Sequence, residues 1–286
     1  MQQDRFSGML KLFEQFESQS EINADFEYDF SNVRWKELCS QYGLGELIEG
    51  DDELSSIIKM LHWVSFRCKY DGTNGNQLEL NSIDILNYLK NQIGKGVNCR
   101  CLATILAECL LAIGVKARVL HLVPMSPYDM DNHVVVMAYL TSKSKWIYLD
   151  PTYNCYITDD KGEILSPLEI RTAMANLKSL DLSVDIITRD DTTADEDFRN
   201  SYTEYIAKNI FAFKCVLNNT FHSETNKATY VCLCPEGYNM TKAMKLNCEY
   251  RKLFYQDKDV LSVWLSEDKN NPEKVKYISL EQFFAC

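Results

Sequence analysis

The 286-residue sequence has no apolar run long enough to cross a bilayer, no internal repeat and no low-complexity tract. It also lacks a basic stripe. The net charge of -11 and pI near 4.9 argue against nucleic acid or an anionic membrane as partner, because both are held by Lys/Arg patches that displace counterions. Residues 1–18 mix Asp4, Arg5, Lys11, Glu14 and Glu17 with apolar residues at helical spacing, so the uninterrupted apolar core of a signal peptide is missing. The chain as given is expected to be soluble and cytoplasmic. Two turn-like segments, Asp71-Gly-Thr-Asn74 and Asp159-Asp-Lys-Gly162, lack the ligand spacing and distal glutamate of a calcium loop. No metal and no cofactor are expected.

Cysteine, by contrast, is abundant. The eleven cysteines are odd in number, scattered and mostly inside apolar periodic segments, as at Cys68, Cys109, Cys215 and Cys232. That pattern predicts reduced, buried thiols and not a disulfide framework. Cys232-x-Cys234 would share one strand face like half a metal site, but no second pair or histidine stands at zinc spacing, so core packing is expected there. His62, His121 and His222 are read as structural or solvated.

Leu54, Ile57, Ile58, Leu61, Val64 and Cys68 step at three and four residues, predicting an amphipathic helix that starts near Asp51-Asp52. A second helix is expected from Asn81-Ser82, with Ile85, Leu86, Leu89 and Ile93 inward and Gly94 and Gly96 as its stop. Leu102, Ile105, Leu106, Cys109, Leu110 and Ile113 then mark a buried helix with Cys99 at its N-terminal end and Gly114 at its stop. Beyond Gly114 the period becomes extended, giving three strands at 115–123, 133–140 and 146–150. The middle strand is apolar throughout and is expected to be covered on both faces. Ser166-Pro-Leu-Glu169 opens a short helix. Residues 198–207 read as helical, and 230–234, 260–265 and 275–280 as further strands. The acidic stretch 189–197 is the better candidate for a boundary.

A thiol is a useful nucleophile as thiolate, which a helix N-terminus stabilises through its free N–H groups and partial positive charge. Cys99 has that position, at the end of the tight Gly94-Lys-Gly-Val-Asn98 loop. His133 opens one strand and Asp150 ends the next. In a hairpin those two ends lie together, so the carboxylate can orient the imidazole, and the imidazole can serve the thiol. Cys101, two residues on, would point away and pack.

These blocks also carry a resemblance. Gly-Val-Asn-Cys99-Arg-Cys-Leu-Ala, Ala-Ile-Gly-Val-Lys-Ala-Arg118, His133-Val-Val-Val and Trp146-Ile-Tyr-Leu-Asp150-Pro-Thr152 resemble, in order and spacing, the core of the transglutaminase-like superfamily, of bacterial type. Ala103 and Gly114 assign the family's nucleophile position to Cys99 and not to Cys101. Lys116 departs from the family's usual proline. The resemblance implies a papain-like active site that forms an acyl-thioenzyme, resolved by water in a peptidase or amidase and by an amine in a transglutaminase. A noncatalytic scaffold that binds peptide or protein in the same cleft is the reading from outside enzymology. Gln77, Gln92 and Trp63 are candidates for an oxyanion donor.

The expected fold is α+β: a papain-like, transglutaminase-like core over residues 52–178, with the cysteine helix packed on an antiparallel sheet that carries the histidine and aspartate. Residues 1–51 are read as a helical N-terminal region and 179–286 as mixed helix and strand of unknown role, all within one unit. The expected partner is a peptide or protein substrate.

Overall fold

The computed structural model describes residues 3–23, 25–188, 192–225 and 227–286. The start of the acidic stretch, 189–191, lies outside them. Helix α1 (Gln3–Leu12) is followed by a two-residue strand β1 (Glu27–Tyr28) and by α2 (Val33–Tyr42), α3 (Leu44–Leu47), α4 (Glu53–Arg67), α5 (Ser82–Asn91) and α6 (Cys99–Ala112). Next come β2 (Ala117–Val123), β3 (His133–Leu140), β4 (Lys145–Leu149), β5 (Ile157–Thr158), α7 (Pro167–Ala175), β6 (Asp181–Leu182) and α8 (Glu196–Asn209). The chain closes with β7 (Ala212–Val216), β8 (Asn218–Asn219), β9 (Tyr230–Leu233), α9 (Met240–Phe254), α10 (Lys258–Ser266), β10 (Lys276–Tyr277) and α11 (Leu280–Phe284).

Six strands form one sheet in the order β10-β9-β7-β2-β3-β4, antiparallel except where β10 joins β9. Strands from both sides of the acidic stretch therefore share it. Alternation along β3 divides the core in two. Val134, Val136, Ala138 and Leu140 face the cluster built by α2, α4, α5 and α6, while Val135 and Met137 face the cluster that includes Ile170 of α7 and Ile206 of α8. The middle strand is thus covered on both faces, as its unbroken apolar run requires.

Helix α6 is the centre of the first cluster, with every side chain from Cys101 to Leu111 buried. Its boundaries are local chemistry: Asn98 accepts a bond from the Cys101 N–H at 3.1 Å, and Gly114 adopts φ +86° just beyond the end. Asp52, Asn81 and Ser166 cap α4, α5 and α7 in the same way, and Ser166 with Glu169 completes a capping box. The cysteines are all free, with seven of the eleven buried.

The structure corrects the reading of the last third. Residues 260–265 lie in helix α10, not a strand, because Asp257 caps the backbone N–H groups of Asp259 and Val260, and a short apolar run carries no period of its own. Residues 240–254, where no helix was read, form α9. Its inner face runs from Met240 and Met244 to the polar Asn247 and Arg251, which border a cleft, so the apolar stripe is interrupted. Of 275–280 only Lys276–Tyr277 is strand. Ile93 is another correction, being 95% exposed beyond the end of α5, while Ile83 is buried instead. Among the described residues no helix is long and apolar enough to cross a membrane.

These burial differences have measurable consequences. In chemical denaturation, Leu106→Ala in α6 is expected to lower the unfolding free energy by about 2–5 kcal/mol, whereas Ile93→Ser should stay within about 0.5 kcal/mol of the parent.

Candidate active site

Two glycine-containing loops bring the start of α6 into place. Asn98 N–H donates to the Asn74 carbonyl at 2.8 Å, and the Asn98 side-chain amide donates to Asn76 Oδ1 at 2.9 Å. Val97 pairs with the backbone of Lys69 and Asp71. These contacts are close enough to exclude side chains at two points. A Cβ on Gly96 would stand 2.8 Å from the Lys69 carbonyl oxygen, and one on Gly75, at φ +115°, would stand 2.8 Å from Cys101 Sγ. Cys99 is therefore the first residue of α6 and half-buried at the helix mouth, while Cys101 is fully buried with its thiol pushed up to about 12 by burial.

The hairpin β3–β4 supplies the other two groups. Its register pairs Val136 with Leu149, so His133 at the start of β3 and Asp150 just past β4 meet at one end of the sheet. His133 Nε2 lies 2.7 Å from Asp150 Oδ2, and both residues are buried. With Nε2 so engaged, Nδ1 is the ring nitrogen left over, and Cys99 is the next side chain that acts on the imidazole. Burial opposes the imidazolium, but the Asp150 charge and hydrogen bond, reinforced by Cys99, outweigh it and push His133 up to about 10.

Asp150 is itself held. Its Oδ1 accepts from the Thr152 N–H at 2.9 Å, and its Oδ2 accepts from the Tyr202 hydroxyl at 2.9 Å. Tyr202 comes from α8 and shares a 3.0 Å hydroxyl contact with Tyr148. From the same helix, the Tyr205 ring meets the His133 ring edge-on at 5.3 Å. Sequence reasoning missed both tyrosines. A signal existed in Phe198, Tyr202 and Tyr205, spaced along one helix face, but nothing in the spacing says which site that face adjoins.

Cys99 opens into a cleft of about 740 Å³. Its near side is lined by Tyr70, Asn76 and Gln77, and its far side by α9 and α10. Of the three residues considered for an oxyanion donor, only Gln77 lines this cleft, and its side-chain amide donates to Asn74 Oδ1 at 2.9 Å. Trp63 instead packs with Tyr42 and Arg67, and Gln92 caps α5. His62 and His222 sit beside surface carboxylates, whereas His121 is buried against Glu224. Among the described residues no group of three or more His, Cys, Asp or Glu is placed to hold a metal ion.

Residues 46–151 match the transglutaminase-like superfamily, and the mixed α+β fold with its mostly antiparallel sheet is consistent with that core. A crystal structure of a candidate cysteine protease from Cytophaga hutchinsonii shares 14% identity at a TM-score of 0.35, over 59% of this chain and 57% of that one. The similarity thus spans less than two thirds of that protein's length. No curated protein matches the chain in sequence.

The charge state of His133 is open to NMR. The ring should remain protonated through neutral pH and titrate near 10. In Asp150→Asn, with the raising influence removed and burial left, it should be neutral at pH 7. Because the folded value is raised, the stability this group contributes is complete below the ordinary imidazole value of about 6.5. It is lost as pH climbs toward about 10.

Proposed function

We propose that this protein is a cysteine hydrolase of peptide, isopeptide or other amide bonds, with Cys99 as nucleophile, His133 as acid and base, and Asp150 as the group that orients and charges the imidazole. The observation that carries this reading is the placement of a half-buried thiol at a helix N-terminus, within reach of a histidine that is bonded at 2.7 Å to a buried aspartate, on an open cleft. The match of residues 46–151 to the transglutaminase-like superfamily supports cysteine-dependent chemistry from an independent direction.

An imidazolium beside the thiol is the partner that a thiolate needs, and the first free N–H groups of α6 add to it. The thiolate attacks the amide carbonyl, and the negative charge that develops on the oxygen falls near the Cys99 backbone N–H. His133 then gives its proton to the leaving amine, so the C–N bond breaks and a thioester remains. Water, deprotonated by the now neutral His133, attacks the thioester and releases the acid and the thiol. The Asp150 carboxylate keeps one ring tautomer throughout, and Tyr202 and the Thr152 N–H keep the carboxylate in place. An amine in place of water at the last step would make the same acyl-enzyme a transglutaminase.

Iodoacetamide labelling with site assignment by mass spectrometry tests the nucleophile. At pH 6 Cys99 should be alkylated while Cys68, Cys101, Cys155, Cys215 and Cys232, whose thiols burial pushes up to about 12, are spared. His133→Ala should slow Cys99 labelling by on the order of tenfold or more, and Asp150→Asn should slow it less. Labelling of Cys99 no faster than the other thiols, and indifferent to both substitutions, would sink the hydrolase and favour a noncatalytic peptide-binding cleft.

A further inference from the structure

A second histidine–carboxylate pair stands in the cleft, and the proposed chemistry leaves it unused. His121 of β2 is opposed by Val134 of β3 on one side and by Lys214 of β7 on the other, so the three project on one sheet face, and all three line the cleft with Cys99. Leu122, the next residue along β2, stands directly opposite His133. His121 Nε2 lies 3.0 Å from both oxygens of Glu224, and the same carboxylate takes Arg100 Nε at 2.5 Å. Arg100 follows Cys99 in α6 and pairs with Glu267 as well. The pair is thus tied to the first turn of the cysteine helix and to the strand beside His133.

The partners fix the state of the ring. Against the cost of burial, His121 and Arg100 keep Glu224 ionised. An ionised carboxylate only accepts, so Nε2 carries the proton that His121 shares with it. Burial lowers the pKa of this imidazole against the pull of Glu224, and Lys214 and Arg100 add to the lowering. The ring is therefore neutral and its Nδ1 is a bare acceptor. His133, with its pKa raised, is in the opposite state and donates from both nitrogens.

His121 is only 1% exposed, and the Tyr230 ring meets it edge-on at 6.4 Å, so the imidazole cannot turn over without leaving Glu224. Within this network Glu224 and Arg100 are paired, whereas Nδ1 has no protein partner among the described residues. A buried acceptor without a donor is costly, and this one lies at the floor of the cleft. The donor that fits it is restricted. A carboxylate at neutral pH has no proton to give, and an ammonium or guanidinium would meet Lys214 and Arg100, the two cations that already act on the ring. An uncharged hydroxyl or carboxamide remains. So deep a nitrogen suits a side chain reaching down more than a peptide backbone lying across the opening.

We infer that His121 Nδ1 accepts a hydrogen bond from an uncharged hydroxyl or carboxamide on a substrate side chain, which makes His121 a specificity-determining residue of the cleft. Glu224 and Arg100 act through it by holding the tautomer. This inference rests on the reading of Cys99 as nucleophile. It concerns which substrates enter, not how the bond is broken.

The test is NMR of the full chain labelled with nitrogen-15 histidine, where only four rings need assignment, joined to protection of Cys99 from iodoacetamide. Before any peptide is added, the His121 Nε2 signal should be pyrrole-like and the Nδ1 signal pyridine-like. Four peptides are then compared: acetyl-Ala-Ser-Ala-amide, acetyl-Ala-Gln-Ala-amide, acetyl-Ala-Lys-Ala-amide and acetyl-Ala-Ala-Ala-amide. The serine or the glutamine peptide should move Nδ1 upfield and protect Cys99 at a concentration on the order of tenfold below the alanine peptide. Whichever does so identifies the donor, and the lysine peptide should do neither. His121→Gln keeps a donor for Glu224 without an acceptor at the Nδ1 position, and should bring the preferred peptide to the level of the alanine peptide. A doubly protonated ring, or an Nδ1 signal that no peptide moves, with Cys99 still selectively alkylated, overturns this inference alone. If Cys99 is not selectively alkylated, the hydrolase fails, and the Nδ1 response decides by itself whether the cleft floor is an acceptor.

Discussion

A helix buried on every side can present a reactive group only at its ends. Between Cys101 and Leu111, α6 has no residue that reaches solvent, because α4 and α5 pack on it from one direction and the sheet from the other. Chemistry is thus confined to the first turn, where unpaired N–H groups also make the local field positive. The loops that meet there are fixed by the same constraint. Gly96 is glycine because the backbone of the other loop passes against it, Gly75 because its positive φ and the Cys101 thiol leave no room for a Cβ, and Asn98 is at once helix cap and bridge between the loops.

The first half of the chain was legible because its signals are local. Apolar spacing marks α4, α5 and α6, caps at Asp52, Asn81 and Asn98 mark their starts, and the hairpin places His133 near Asp150. The sequence pattern left the register open, and the pairing of Val136 with Leu149 supplies it. What stayed hidden depends on long-range contact. Tyr202 reaches Asp150 across 52 residues of sequence, and Arg100 reaches Glu224 and Glu267 across 124 and 167. That no helix was legible at 240–254 has a related cause. A helix that borders a cleft exchanges part of its apolar stripe for Asn247 and Arg251, and so loses the periodicity by which it would be recognised.

Residues beyond 151 therefore do more than enlarge the sheet. Helix α8 buttresses the histidine and aspartate, and α9 and α10 build the far wall of the cleft. The charge network at Arg100 joins that wall directly to the residue beside Cys99. A shift of α10 and the segment after it would part Glu267 from the buried Arg100 guanidinium, and the cost of stripping a carboxylate from a buried cation resists such movement.

Strand β2 sits between β3, which follows it almost at once, and β7, which arrives some ninety residues later, and buried Arg118 on β2 donates to the carbonyls of Phe283 and Ala285. During synthesis, then, α6 and the β2–β3–β4 meander emerge well before one edge of β2 has its neighbour and before the Arg118 guanidinium has its Phe283 and Ala285 acceptors, although its Tyr28 acceptor is already made. Until β7 is available, the nascent sheet exposes a strand edge, and until α11 is available it holds an arginine short of acceptors, a state open to mispairing with other chains. With so many partners distant in sequence, the molecule should fold slowly, since the strand at the middle of its sheet draws its neighbours and the cover of its buried arginine from far along the chain.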